Sequence, residues 1–229
     1  LPAMGRSHVR TRRDADPAGY GFDLETVERP FDPRRLFAPP PDEAPIEVEI
    51  GSGKGSFLVA ESELRPDTLF LGIERARRYW LYAADRVRRR ERPNARIVRG
   101  DAREVLDALP EGSVSGLHMY FPDPWPKRRH AHRRLLIQPE FLTACERVLA
   151  AGASLRVVTD DPDYFDQIAD ALAARPKLVR SRYEPPASAN EGELAGSNFE
   201  RKYRLEGRRI QAVAVLLADE DNALANEEA

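Results

Sequence analysis

The sequence predicts an α/β domain with a mostly parallel sheet and helices on both faces. Two observations predict it. Seven short apolar, β-branched-rich runs alternate with longer stretches of helical periodicity, the pattern of successive βαβ units. In addition, acidic residues and glycines recur just after these runs, at the carboxyl ends of the strands, where open α/β sheets bind their ligands. The 229 residues suffice for one core, and a content of 41% hydrophobic and 32% charged residues is that of a folded chain.

In chain order, Ile46 to Ile50 is the first strand and ends at glycines. A helix from Gly55 to Leu64 is stopped by Pro66. Leu69 to Ile73 is the second strand. Trp80, Ala83, Ala84 and Val87 recur at helical spacing between Arg77 and Glu91. Ala95 to Val98 is the third strand, and Val114 to Tyr120, closed by Pro122, is the fourth. Phe141, Leu142, Cys145, Val148 and Leu149 form the apolar face of a helix opening at Pro139. Ser154 to Val158 is the fifth strand, followed by a helix from Pro162 to Ala174. Leu178 to Tyr183 and Gln211 to Leu217 complete the seven strands.

Residues 1–45 hold eight of the 19 prolines and little periodicity, so they are expected to be a mobile arm, ordered only near the domain. The domain proper is expected over 46–217, with 218–229 a disordered acidic tail. No apolar run approaches the roughly 20 residues of a membrane span. The Arg-rich start lacks the apolar segment of a secretory signal. A single cysteine, Cys145, excludes a disulfide framework and a cysteine-rich zinc site. A cytoplasmic protein is therefore expected. The net charge of −2 provides no global attraction to nucleic acid, but the basic residues are clustered, and binding to a polyanion depends on charge within a Debye length.

At the nucleotide end, the first strand runs into Glu49-Ile50-Gly51-Ser52-Gly53-Lys54-Gly55. Gly51 and Gly53 allow a sharp turn and close approach of backbone to ligand. Glu74 ends the second strand at a spacing suited to ribose hydroxyls, and Asp101 follows the third, placed to accept from an adenine amino group. A dinucleotide fingerprint requires glycine where Ser56 stands, and Glu49 is unsuited to a diphosphate. Glu49 instead suits a ligand with a cationic part, such as S-adenosylmethionine, with its ammonium and sulfonium. Capping of helices or turns is the competing role for all three acids.

At the reactive end, the fourth strand leads into Phe121-Pro122-Asp123-Pro124-Trp125-Pro126-Lys127, where prolines fix the backbone around Asp123. Lys127, Arg128, Arg129, His130, Ala131, His132, Arg133 and Arg134 follow, a run that leaves the ligand end of the sheet and suits phosphate better than a merely solvated face. His130 and His132 lack a third ligand nearby, so no metal is expected. The Arg86 to Arg92 helix face suits an RNA backbone or a solvated surface equally. Asp160 ends the fifth strand, and Ser197, Asn198, Phe199 and Glu200 precede the last one, as ligand groups or as a helix cap. Cys145 lies on an apolar helix face and belongs to the core.

Together these residues resemble the bacterial tRNA (guanine-N7)-methyltransferase family, from about Glu47 to Val215. The narrow motif is Phe121 to Lys127 with the basic run. Glu49 to Gly53, Gly72 to Glu74, Asp101-Ala102 and Thr159-Asp160 fall in the expected order. The resemblance implies a Rossmann-like class I methyltransferase fold with an antiparallel last strand, S-adenosyl-L-methionine as cofactor, and tRNA as partner. It implies that Glu49, Glu74, Asp101 and Asp123 contact the cofactor or the methyl-transfer site. Lys127, Asp160 and Ser197 to Glu200 would contact the guanosine, at position 46 in the variable region. Ser197 stands where the family usually has threonine and His132 where lysine is common; the N-terminal arm has no clear match. A methyltransferase acting on another RNA, a protein or a small molecule, a nucleotide-redox enzyme, and a non-catalytic RNA-binding protein remain alternatives. Monomer and homodimer both remain open.

Guanine N7 carries a free lone pair, so its methylation needs no general base. Positioning and carboxylates that tolerate migrating positive charge are the expected means of catalysis, with Asp123 orienting the guanine.

Overall fold

The computed structural model describes residues 14–38, 43–125 and 134–219. Its elements in chain order are β1 (Gly21–Asp23), β2 (Ile46–Ile50), α1 (Ser56–Leu64), β3 (Leu69–Glu74), α2 (Arg77–Arg89), β4 (Ala95–Arg99), α3 (Ala102–Ala108) and β5 (Val114–Tyr120). They continue with α4 (Pro139–Val148), β6 (Leu149–Thr159), α5 (Pro162–Ala173), β7 (Leu178–Ser181), α6 (Asn198–Leu205) and β8 (Gln211–Leu217). The sheet order is β1-β4-β3-β2-β5-β6-β8-β7. β8 pairs antiparallel with both β6 and β7, and the other pairings are parallel.

The chain winds outward in one direction from β2 through β3 and β4, and in the other from β5, so the strand order reverses between β2 and β5. A crevice opens at such a switch point, beyond the carboxyl ends of the strands. The turn after β2, the last residue of β3 and the turn after β5 bring Gly51, Glu74 and Asp123 to that edge.

Both faces of the sheet are covered. On one, Ile46, Val48, Ile50, Leu71 and Leu117 pack with Val105, Phe141, Cys145 and Ile168 from α3, α4 and α5. On the other, Phe70 and Ile97 pack with Phe57 and Leu58 of α1 and Trp80, Ala84 and Val87 of α2. β2 reads as a half-exposed alternating strand, Ile-Glu-Val-Glu-Ile, yet all five residues are buried. Glu47 and Glu49 are therefore enclosed carboxylates, each requiring a partner or a raised pKa.

The structure corrects the sequence reading in three places. The sheet has eight strands, not seven. The extra strand, β1, comes from the stretch expected to be an arm, and pairs with β4 through Gly21↔Ile97, Phe22↔Val98 and Asp23↔Arg99. It docks because glycine at 21 leaves room for α2: a Cβ there would lie 2.8 Å from the Ala84 Cβ. Leu24, Phe31 and Phe37 are buried behind it, and Asp23 pairs with Arg99. Three residues are too few to show a period. Second, α3 was not anticipated; its seven residues begin at Asp101, whose side chain caps it. Third, β6 starts at Leu149, five residues earlier than expected. Among the described residues, no helix is long and apolar enough to cross a membrane.

Candidate active site at the carboxyl edge of the sheet

The turn after β2 places three glycines in the left-handed region: Gly51 at φ 80°, Gly53 at 52° and Gly55 at 65°. The Gly51 and Ser52 amides donate to the Ile73 carbonyl at 2.9 and 3.0 Å, folding the turn against β3. Gly72 makes this close approach possible, since a Cβ there would lie 2.5 Å from the Ser52 Oγ. Glu74 accepts from the Gly53 amide at 2.9 Å and the Ala76 amide at 2.8 Å. It therefore grips the turn while keeping lone pairs for a ligand.

Glu49 lies under this turn, 6% exposed, and its Oε2 has no hydrogen-bond partner. Burial pushes its carboxyl up to about 8; a hydrogen bond with Ser52 opposes this, and the negative charge of Glu74 adds to it. A buried acid with a bare oxygen is costly unless something supplies a donor or a positive charge. A ligand ammonium supplies both, so this donor set fits S-adenosylmethionine.

Asp101 is more committed than the sequence suggests. It accepts from the Arg103 amide and side chain at 3.1 Å each, with Arg75 at 3.7 Å. The Arg103 hydrogen bond holds its carboxyl below the ordinary aspartate value against the effect of burial. Its position at the end of β4 still faces the crevice edge, but capping α3 is its visible contribution.

At the reactive end, the turn after β5 is strained. Phe121 has φ 53° and Trp125 φ 42°, left-handed values unusual for aromatic residues. The Phe121 amide is tied to the Val158 carbonyl at 2.7 Å. Arg134 clamps the other end: its guanidinium donates to the Pro124 carbonyl at 2.7 Å, the Trp125 carbonyl at 3.3 Å and Gln167 Oε1 at 2.7 Å. Arg134 thus holds the turn from within rather than standing free at a phosphate. Asp123, between these anchors, is exposed. Burial raises the pKa values of Glu74, Tyr164 and Tyr203, and the charge of Asp123 adds to each, which places it between the cofactor end and α6. Lys127, Arg128, Arg129, His130 and Arg133 lie outside the described residues.

The third part of the edge is α6. Ser197 caps it, its Oγ accepting from the Glu200 amide at 3.1 Å. Glu200 is fully buried. One oxygen accepts from the Leu194 amide at 2.7 Å and from Arg204, the other from the Ala195 and Gly196 amides at 2.7 and 3.1 Å. This carboxylate shapes the 194–196 loop. Phe199 stands 45% exposed beside Phe121 and Tyr203, with ring centroids 6.4 and 6.1 Å away. Asp160 accepts from Arg208 at 2.6 Å, and that guanidinium lies 4.3 Å from the centre of the Tyr203 ring. Asn198 opens the helix. The structure therefore brings Glu49, Glu74 and Asp123 to one crevice and Phe199 and Asp160 to its rim, while Ser197 and Glu200 act on the backbone.

Glu200→Ala is expected to destabilise the fold by about 3–5 kcal/mol, because it strips three loop amides and a guanidinium of their acceptor in a dry site. Urea unfolding measures this, and Glu200→Gln should recover part of the loss.

Sequence reasoning missed a buried network beneath the crevice. Glu47 is bidentate to Arg65 and accepts from His118 Nε2 at 2.9 Å, while His118 Nδ1 lies 3.1 Å from the Tyr120 hydroxyl. Burial would raise the Glu47 carboxyl; the His118 and Arg65 hydrogen bonds outweigh this and hold it at about 2. Ionised Glu47 accepts the hydrogen bond from Nε2–H, which leaves Nδ1 to accept from the Tyr120 hydroxyl. The network fixes Tyr120, the residue before the strained turn. Its sequence signal was a glutamate and a histidine inside apolar runs.

Residues 43–213 match the family model described as "Putative methyltransferase". A tRNA (guanine-N(7)-)-methyltransferase of Rhodopirellula baltica is 38% identical over 179 residues, covering 75% of this chain and 66% of that protein. One from Alkalilimnicola ehrlichii is 35% identical over 192 residues, covering 83% and 79%. Among solved structures, a variant of the 16S rRNA (adenine(1408)-N(1))-methyltransferase of Catenulisporales acidiphilia, with its cosubstrate, superposes with a TM-score of 0.55. That match is 17% identical, covers 77% of this chain and 87% of the other, and shows the shared fold.

Proposed function

The chain belongs to the tRNA (guanine-N(7)-)-methyltransferase family, and from that premise we infer that it methylates N7 of a guanosine in tRNA, at position 46 of the variable region. The observation that carries this reading is the pairing of two carboxylates across one crevice: Glu49, buried with a bare oxygen, and Asp123, exposed in a clamped and strained turn.

S-adenosylmethionine supplies the methyl group, carried on a sulfonium. Glu49 would face its ammonium, and Glu74 its ribose hydroxyls with the acceptor capacity left beyond the Gly53 and Ala76 amides. Gly51 and Gly53 keep the turn low enough for backbone contact, since a Cβ at Gly51 would point into open space rather than into the fold. The guanine needs no base, because N7 already presents its lone pair. Asp123 accepts from the base edge and stabilises the positive charge that appears on it. Phe199, with Phe121 and Tyr203, offers an aromatic surface on which an unstacked guanine is held. Arg134 and Arg208 position Asp123 and Asp160 respectively.

Labelled S-adenosylmethionine and unmodified tRNA transcripts with and without guanosine at position 46 test the site. Label is expected only in the transcript carrying that guanosine. Equal labelling of both would refute the variable-region assignment while leaving tRNA as the substrate.

A further inference from the structure

A cleft of about 370 Å³ lies between the Gly-rich turn, α2 and the start of α6, lined by Lys54, Tyr82, Arg86, Arg89, Arg90 and Asn198. Four of these side chains are cations and none is acidic. Arg86, Arg89 and Arg90 come from the Arg86 to Arg92 face, and the fold adds Lys54 from the Gly-rich turn and Asn198 from α6. Arg86 is half-buried. Its guanidinium donates to the Lys54 carbonyl at 3.1 Å and the Ser56 Oγ at 2.8 Å, both neutral acceptors. Burial pulls its pKa below the ordinary arginine value; Tyr82 opposes this, while Arg90 and Arg89 add to it. Arg89 shares one carboxylate, Asp85, with Arg88. Among the described residues no carboxylate pairs with Arg86 or Arg90. Like charges are thus gathered around one cavity against their repulsion, one of them a half-buried guanidinium without a carboxylate partner among the described residues. An anion would relieve both costs.

We propose that this cleft binds a backbone phosphodiester of the substrate RNA, beside the nucleotide that is methylated. The proposal rests on the tRNA reading above and deepens it. Lys54 belongs to the turn that would hold the cofactor, and Asn198 follows Ser197 at the rim of the reactive end. A phosphate seated between them is tied to both halves of the crevice, and so registers the strand against the methyl donor. None of the residues lining the cleft belongs to the basic run 127–134. Guanidinium forks suit a phosphate's oxygens, and Tyr82 and Asn198 add neutral donors.

The test compares the full chain with Arg90→Gln and with Arg89→Gln/Arg90→Gln, binding unmodified tRNA transcript over a range of chloride concentrations. The double variant is expected to bind roughly tenfold more weakly at low salt, and the slope of log affinity on log salt should fall by about one per lost contact. Its KM for tRNA should rise more than its kcat falls. A wild-type-like thermal melt shows that the variant is folded. If the wild type binds tRNA and the double variant matches it in affinity and slope, the cleft assignment is overturned and the tRNA reading stands. If the wild type binds no tRNA at any salt concentration, both fall. If inorganic phosphate raises the wild-type Tm above chloride of equal ionic strength, and the double variant loses that rise but keeps the tRNA slope, free phosphate is the occupant and the RNA assignment is overturned.

Discussion

Asp123→Ala is expected to slow methyl transfer by about 100-fold or more, the scale on which removal of one preorganised electrostatic group acts. The melting temperature should barely change. Asp123 is exposed, and the turn that carries it is held by other groups: the Phe121 amide on Val158, and the Arg134 guanidinium on the Pro124 and Trp125 carbonyls. The loss should fall on kcat, because the carboxylate's charge matters most when the base becomes cationic. Asp123→Asn, which keeps an acceptor without the charge, should lie between. Near-normal turnover by the alanine variant would remove Asp123 from the mechanism.

Replacing Glu49 should have a comparable effect on a different quantity, the affinity for S-adenosylmethionine. With its carboxyl at about 8, Glu49 is mostly protonated in the free protein at neutral pH. A cationic ligand favours the ionised form. Binding therefore releases up to one proton, and affinity rises with pH toward 8 by at most about tenfold per unit. Glu49→Gln should flatten that dependence and weaken binding at pH 8 by roughly 10- to 100-fold, the scale of one charge-assisted hydrogen bond. Calorimetry in two buffers of different ionisation enthalpy counts the protons. The same raised carboxyl has a sign in stability: its contribution to the ligand-free fold is full below the ordinary glutamate pKa near 4.5 and is lost as pH rises through about 8. The Tm of the Gln variant should fall less than that of wild type across that window. A wild-type affinity independent of pH between 6 and 8 would contradict this role for Glu49.

The strands and their order of use were legible because β2 to β5 are β-branched-rich or apolar stretches of five to seven residues, long enough to show a pattern, with Gly, Pro or acid near their carboxyl ends. β1 and α3 were not. A three-residue strand and a seven-residue helix carry too few periods, and the first is held by tertiary contacts of Gly21, Phe31 and Phe37 rather than by its own sequence. The acids at the strand ends were legible as a set, but their division of labour was not. Glu49 and Asp101 look alike in sequence. Only packing shows that one is left bare while the other meets Arg103 and caps a helix. Glu200 reads as a ligand until three loop amides are found on it. Arg134 reads as the last residue of a phosphate-binding run until it is found holding the Asp123 turn. Lys54, Arg86 and Asn198 share no sequence motif, because their meeting depends on how α2 and α6 lie against the first turn.

The central claim is direct attack by a guanine nitrogen that needs no deprotonation, at a crevice where carboxylates receive the positive charge. The most direct test is the identity of the modified nucleoside. Purified protein, labelled S-adenosylmethionine and unmodified tRNA are incubated, the RNA is digested to nucleosides, and the methylated product is separated against standards. The account predicts 7-methylguanosine as the labelled product. Label in 1-methylguanosine, whose nitrogen must first lose a proton, or in a non-guanine nucleoside, would contradict it.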